Sequence, residues 1–184
     1  MKLTFFDFFQ LTKMRLALSV VFSSLAGYLL AAETISFVSI LLLFFGGYFM
    51  VGASNTFNQL IERDKDGLME RTLNRPLPKN RVNISQAIFI AILLTILGVV
   101  FLYFLNIKTA LFGATSIFLY VVIYTPLKRI TPLSVFVGAI PGAIPYMLGW
   151  VAYTGSFGIE PGVLFLFQFF WPVSYTHLTL PTKA

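Results

Sequence analysis

Long apolar runs alternate with short polar segments along most of the chain. Five runs lie near residues 16–32, 35–60, 87–105, 109–125 and 133–153. A membrane-spanning helix needs about 20 mostly apolar residues, whereas the strands of a membrane barrel alternate between apolar and polar positions. A sixth run begins near Val163 but meets Pro172 too soon to cross a bilayer. The pattern predicts an all-α, polytopic bundle of five transmembrane helices and the start of a sixth that stops at Pro172.

Composition agrees with this prediction. The chain has 184 residues, of which 58% are hydrophobic and only 11% are charged. A soluble domain has about 25% charged residues, so this composition indicates a protein whose surface largely faces lipid. The chain contains no cysteine, which excludes disulfides and thiolate metal sites.

The basic residues are distributed unevenly between alternate loops. The formal net charge is +6. The loops on one side carry eleven basic residues: Lys2, Lys13, Arg15, Arg63, Lys65, Arg71, Arg75, Lys79, Arg81, Lys128 and Arg129. The loops on the other side carry only Lys108. The positive-inside rule predicts that the N-terminus and the basic loops lie in the cytoplasm. We expect the chain to span the cytoplasmic (inner) membrane. This distribution argues against nucleic acid as a partner.

The fifth span contains unusual helix residues. Its sequence is "VFVGAIPGAIPYMLGW", with Pro141 and Pro145 inside the run. Proline removes a backbone donor, so we expect the helix to kink or break there and to line a pocket. Glycines recur in this and other spans, and in a bilayer they favour close helix packing.

The segment "NQLIERDKDGLMERTLNRPLP", residues 58–78, interrupts the apolar pattern. Eight charges fall within the fourteen positions from Glu62 to Arg75. Asn58, Glu62 and Asp66 are spaced i, i+4, i+8 on a continuation of the second span. On a helix these three side chains share one face over roughly 12 Å, and Asp64 lies elsewhere. We call Asn58, Glu62 and Asp66 the acidic stripe.

The chemistry of this segment points to a phosphate ligand. Two carboxylates and an amide supply oxygen ligands, which Mg²⁺ prefers, with water and substrate phosphates completing its shell. Arg71 and Arg75 follow closely, and guanidinium groups bind phosphate oxygens in pairs. The segment therefore predicts a magnesium–diphosphate site. The alternative is that these charges are solvated residues at a helix end near the membrane surface.

Three segments together resemble the UbiA superfamily of intramembrane prenyltransferases. They are "NQLIERDKDGLMERTLNRPLP", "LTKMRLAL" at residues 11–18, and "YTPLKRITPLSVFVGAIPGAIP" at residues 124–145. The resemblance covers about residues 1–171, which are identified as the N-terminal part of a UbiA-type domain. Within the superfamily the segments are most similar to the branch that farnesylates haem.

The resemblance implies nine transmembrane helices around a central cavity. It implies transfer of farnesyl from farnesyl diphosphate to a vinyl group of haem B, with Mg²⁺ bound beside the diphosphate and haem O as the product. It also implies haem A synthase or terminal oxidase assembly proteins as partners in the bilayer.

The resemblance also implies roles for individual residues. Asn58, Glu62 and Asp66 match the metal ligands of the family, and Arg71 and Arg75 match its phosphate-binding loop. A second set, Tyr124 and Lys128, matches residues that face the diphosphate. Asp66, Tyr124 and Lys128 are the expected catalytic residues.

The end of the chain departs from the family pattern. The family carries a second acidic motif on its sixth helix and the following loop, and this chain diverges after Trp171. We therefore expect residues 172–184 to be a non-native tail and this polypeptide to be inactive by itself.

Two other functions remain open. One is a related prenyltransferase with a quinone or chlorophyll acceptor. The other is a small membrane transporter whose broken fifth helix lines the path.

Overall fold

The computed structural model describes residues 4–178, and every regular element in that range is a helix. In chain order these are α1 (Phe5–Thr12), α2 (Met14–Ala31), α3 (Phe37–Asp66), α4 (Ile84–Tyr103), α5 (Ile107–Phe118), α6 (Thr125–Leu127), α7 (Ser134–Thr154) and α8 (Ile159–Leu178). A π-helical segment, Leu119–Tyr124, connects α5 to α6 directly.

Within residues 4–178, five helical stretches are long and apolar enough to cross a membrane. They are Met14–Ala31, Phe37–Asp66, Ile84–Tyr103, Ile107–Leu127 and Ser134–Thr154. Large apolar side chains on their outer faces, such as Phe22 and Ile96, are exposed, as lipid-facing residues are. The protein is a multi-pass membrane protein, and the predicted polytopic all-α bundle with five spans is confirmed.

Helix α7 packs against α2, α5 and α8, while α3 packs against α2 and α4. The larger buried cluster joins these helices and consists of Tyr28, Leu43, Met50, Leu102, Ala110, Ile144, Met147, Leu148, Val151 and Ala152. A smaller cluster lies where α1 and the loop after α3 meet α3 and α4, and it consists of Leu11, Ala53, Leu77, Val82, Ala87, Ile90 and Leu94.

The contact between α2 and α7 depends on glycine. A Cβ added at Gly149 would lie 1.8 Å from the Ser24 carbonyl oxygen, and one added at Gly27 would lie 2.0 Å from the Tyr146 carbonyl oxygen. Only glycine permits two backbones to approach so closely, which is how small residues act between helices in a bilayer.

Pro141 and Pro145 lie within α7, yet the helix runs unbroken from Ser134 to Thr154. A break is therefore wrong, a kink stays a prediction, and the expected pocket is present because both prolines line a cavity. Pro145 has no N–H for the carbonyl oxygen of Pro141, which is four residues earlier. The Ser116 hydroxyl of α5 donates to that oxygen at 3.3 Å. A neighbouring helix thus satisfies the acceptor that proline leaves free.

Helix α8 extends beyond both predicted limits. It begins at Ile159 rather than near Val163, because Pro161 lies in its first turn, where no N–H is needed. It continues through Pro172 to Leu178, so the prediction that it stops at Pro172 is wrong. Residues 179–184, the end of the predicted tail 172–184, lie outside the described residues, and the origin of that tail stays a prediction.

The sequence pattern did not predict helix α1. Thr4 caps it by accepting a hydrogen bond from the Asp7 N–H at 3.2 Å. The buried Asp7 carboxylate lies 2.7 Å from an Arg81 nitrogen, which is ion-pair distance although the angle is not that of a hydrogen bond. Arg81 also donates to the Gln10 side chain at 2.6 Å. These contacts join α1 to the loop between α3 and α4.

Candidate active site

The last turns of α3 carry the acidic stripe along one face, in the arrangement that the i, i+4, i+8 spacing predicts. The Asn58 amide donates to Glu62 Oε2 at 3.0 Å. Asn58 and Asp66 are buried and Glu62 is half-buried. The Asp64 side chain is 86% exposed and pairs with Arg63. Burial therefore separates the stripe from the neighbouring acid, as the spacing predicts.

Lys128, which follows α6, reaches across to the stripe. Its ammonium donates to Asn58 Oδ1 at 2.9 Å and lies 2.8 Å from Glu62 Oε2. The Thr125 hydroxyl also donates to Asn58 Oδ1, at 3.3 Å. The same ammonium lies 5.4 Å from the centroid of the Tyr124 ring. We call Asn58, Glu62, Thr125 and Lys128 the Lys128 network.

The loop after α3 folds back onto the end of its own helix. Arg75 donates to Asp66 Oδ2 at 2.6 Å, and the Thr72 hydroxyl donates to the Asp66 carbonyl oxygen at 2.8 Å. Arg75 therefore lies at the stripe, as predicted. Arg71 is exposed, and no hydrogen bond or ion pair joins its side chain to the stripe within the part of the chain that the structure describes.

The π-helical segment shapes the opposite wall. Pro126 has no N–H, and the turn before it widens so that the Thr125 N–H and hydroxyl both donate to the Tyr120 carbonyl oxygen. π-Helical turns are frequent at functional sites. The Tyr120 and Tyr124 rings lie 5.2 Å apart between centroids. Gly138 leaves space for Tyr124, since a Cβ there would lie 2.6 Å from the ring.

An apolar cavity of about 210 Å³ opens beside these residues. Its lining is Leu16, Val20, Val51, Ser54, Asn55, Ser116, Tyr120, Gly138, Pro141, Gly142 and Pro145. A smaller cavity of about 50 Å³ shares part of this lining and extends towards Met50 and Leu148. The Ser54 and Ser116 hydroxyls donate to backbone carbonyl oxygens. The space therefore presents little polarity to an occupant.

The donor chemistry of the stripe fits a hard divalent cation. Asn58, Glu62 and Asp66 offer oxygen atoms, and the two carboxylates already attract the cationic groups of Lys128 and Arg75. No group of three or more His, Cys, Asp or Glu side chains with ligand geometry occurs among the described residues. A magnesium ion there would need further oxygens from water or a phosphate substrate, as magnesium sites commonly do.

Sequence reasoning missed three residues that the structure brings to this region: Thr125, Tyr120 and Lys13. Burial lowers the pKa of the Lys13 ammonium, and the nearby charges of Arg75 and Lys128 lower it further. The segment "LTKMRLAL" was the only signal for Lys13, and it carried only a resemblance. No periodic pattern marks a lysine between two helices as a site residue.

The chain is similar to proteins of known families. The UbiA prenyltransferase family matches residues 20–181. The chain belongs to the UbiA prenyltransferase family. The resemblance inferred from its three segments is thereby confirmed, and the family favours a prenyltransferase over a transporter.

Curated relatives of this UbiA chain are named protoheme IX farnesyltransferase. That of Christiangramia forsetii is 67% identical over 165 residues, covering 90% of this chain and 55% of the relative. That of Flavobacterium psychrophilum is 61% identical over 173 residues, covering 92% of this chain and 58% of the relative. The chain therefore spans a little over half the length of the curated relatives it matches.

Solved structures share the UbiA fold. Digeranylgeranylglyceryl phosphate synthase superposes with a TM-score of 0.80 at 22% identity, covering 89% of this chain and 57% of that one. A UbiA homologue from Archaeoglobus fulgidus bound to DMAPP and Mg²⁺ superposes with a TM-score of 0.72 at 19% identity, covering 90% and 61%.

Proposed function

We propose that the full-length protein transfers farnesyl from farnesyl diphosphate to a vinyl group of haem B, giving haem O and diphosphate. The observation that carries the proposal is the Lys128 network, in which an ammonium joins an acid and an amide, and whose Thr125 donates to Tyr120 in the lining of an apolar cavity. A polar rim suits a diphosphate and an apolar cavity suits a prenyl chain. The names of the curated relatives support haem as the acceptor.

In the proposed complex the diphosphate lies at the rim. Asn58, Glu62 and Asp66 would hold magnesium, which would neutralise charge on the leaving group. Arg75, Arg71 and Lys128 donate to phosphate oxygens. Preorganised donors of this kind stabilise the charge that develops as the leaving group departs.

The proposed reaction breaks one carbon–oxygen bond of the substrate and forms one carbon–carbon bond. The C1–O bond of farnesyl diphosphate breaks and its electron pair stays on diphosphate. The π electrons of the vinyl group form the new bond to C1. Water then adds to the resulting cation and loses a proton, which gives the hydroxyl of the product. The cavity lining, including Tyr120 and Pro145, shields the allylic cation from bulk water until the vinyl carbon reaches it.

A direct test uses a full-length chimera, in which residues 1–171 replace the matching part of the Christiangramia forsetii relative. With farnesyl diphosphate and Mg²⁺, haem B should be farnesylated at least about 100-fold faster than 4-hydroxybenzoate. The readout is product mass after fixed times, and chelation of Mg²⁺ should stop the reaction. Preferred transfer to 4-hydroxybenzoate would identify a quinone-type enzyme, and no transfer to either would overturn the proposal.

We further propose that the protein lies in the cytoplasmic (inner) membrane with the stripe on the cytoplasmic side. The chain has no cysteine, so single substitutions report topology. Lys79 and Glu160 are both exposed and follow different spans. We expect an impermeant maleimide to label Glu160→Cys in intact spheroplasts and Lys79→Cys only after lysis. The reverse pattern would contradict the orientation.

A further inference from the structure

Lys13 occupies a constrained position between α1 and α2. Its backbone has φ 48° and ψ 58°, the left-handed region that favours glycine. Lys13 is the C-cap residue of α1 and also the N-cap residue of α2. A lysine thus occupies a backbone conformation that glycine would adopt with less strain.

Two buried side chains of α3 hold this junction. The Asn55 amide donates to the Thr12 carbonyl oxygen at 3.0 Å. The Gln59 amide donates to the carbonyl oxygens of Gln10 at 3.0 Å and Leu11 at 2.9 Å. These carbonyls lie in the last turn of α1, where a helix leaves acceptors without partners, although the Gln10 oxygen also accepts from the Lys13 N–H at 3.4 Å. Asn55 lies about one helical turn before the stripe residue Asn58, and Gln59 follows Asn58 directly. The same stretch of α3 therefore holds both the junction and the stripe.

The charges around the Lys13 ammonium are those of the candidate active site. Arg75, Lys128, Asp66 and Glu62 all interact with it electrostatically, and burial together with the two cations lowers its pKa. Asp66 and Glu62 are already paired with Arg75 and Lys128. Among the described residues, no hydrogen bond or ion pair engages the Lys13 ammonium. Lys13 and the four residues around it comprise three cations but only two carboxylates.

We propose that Lys13 binds the diphosphate of the prenyl substrate directly, and that Asn55 and Gln59 position it. This inference rests on the proposed function. A partly buried ammonium without a partner is costly, and a phosphate oxygen would supply the partner. Because the backbone is held before the substrate arrives, little ordering accompanies binding. Lys13 keeps its proton throughout, while the electron pair of the breaking C1–O bond goes to the diphosphate.

The test compares binding of inorganic pyrophosphate with Mg²⁺ to variants of the full-length chimera by calorimetry. Lys13→Gly removes the ammonium and adopts the left-handed backbone freely, so the fold is retained. We expect its pyrophosphate affinity to fall at least about 10-fold. The KM for farnesyl diphosphate should rise while the KM for haem B stays unchanged. Lys13→Arg should recover part of the affinity.

A matched control is Lys65→Gln, which removes an exposed lysine from the same end of the molecule. We expect it to bind pyrophosphate as the unmodified chimera does. If Lys13→Gly also binds normally while farnesyl transfer to haem is intact, the inference fails and the proposed function stands. If the unmodified chimera transfers no farnesyl, the proposed function itself fails.

The positioning role of Asn55 needs a separate readout. Asn55→Ala should weaken pyrophosphate binding because the junction loses one of its ties. If Asn55 acts through Lys13, adding Asn55→Ala to Lys13→Gly should cause no further loss of affinity. Additive losses in the double variant would show that Asn55 does not act through Lys13.

Discussion

Asp66→Asn in the full-length chimera is expected to lower the rate of farnesyl transfer at least about 100-fold. The Asp66 carboxylate is buried at the end of the acidic stripe and lies 2.6 Å from Arg75. The substitution removes the negative charge that we propose to hold magnesium beside the diphosphate. Asparagine keeps an oxygen that can still accept from Arg75, so we expect the fold to persist. The measurement is single-turnover formation of haem O.

Asp64→Asn is the matched control for this prediction. It makes the same chemical change two residues earlier, at a side chain that is 86% exposed and paired with Arg63. We expect a rate within about twofold of the unmodified chimera, because an exposed ion pair contributes little to the stability of the fold. Equal losses in the two variants would mean that general surface charge, and not the stripe, governs the reaction. Full activity in Asp66→Asn would remove Asp66 from the metal site.

Of the glycine-to-alanine substitutions in the bundle, Gly149→Ala is expected to be the most destabilising. The new Cβ would lie 1.8 Å from the Ser24 carbonyl oxygen and 2.7 Å from the Tyr28 nitrogen. Both atoms belong to the backbone of α2, so relief requires the two helices to separate. We expect a loss of about 3 kcal/mol or more, measured as a lower unfolding temperature and a smaller folded fraction in detergent.

Gly142→Ala provides the comparison on the same helix. Among the described residues, apart from its chain neighbours and the nearby backbone of α7, no atom lies within 4 Å of a Cβ added at Gly142. The methyl group therefore has free space, and we expect the unfolding temperature to stay within a few degrees of the unmodified protein. If Gly149→Ala is as stable as Gly142→Ala, the α2–α7 contact is looser than the structure indicates.

Features that depend on neighbouring residues were predictable from the sequence. Span length and apolarity identified five of the helices, because a bilayer imposes a minimum apolar length. The short α1 was missed because eight residues are too few to register as a span. The break in α7 was wrongly predicted because the sequence does not reveal that the Ser116 hydroxyl meets the Pro141 carbonyl oxygen.

In the candidate site too, the features within one helix were predictable and the contacts between distant segments were not. The acidic stripe follows from helical periodicity, and the structure keeps Asn58 and Glu62 on one face. Lys128 was connected to it only through a family resemblance, since 70 positions separate it from Asn58. Thr125 and Tyr120 depend on a widened helical turn before Pro126. Neither periodicity nor composition indicates such a turn.

Local sequence is enough to predict which segments enter the bilayer and which side chains share a helical face. Both follow from hydrophobicity and from the 3.6-residue turn, which act within about 20 residues. That Lys128 contacts the stripe, and that Asp66 and Glu62 act electrostatically on Lys13, depends on how the helices pack and is visible only in three dimensions. The glycine contact of α2 with α7 and the amide bonds from α3 to α1 arise between segments far apart in the chain. No local pattern encodes them.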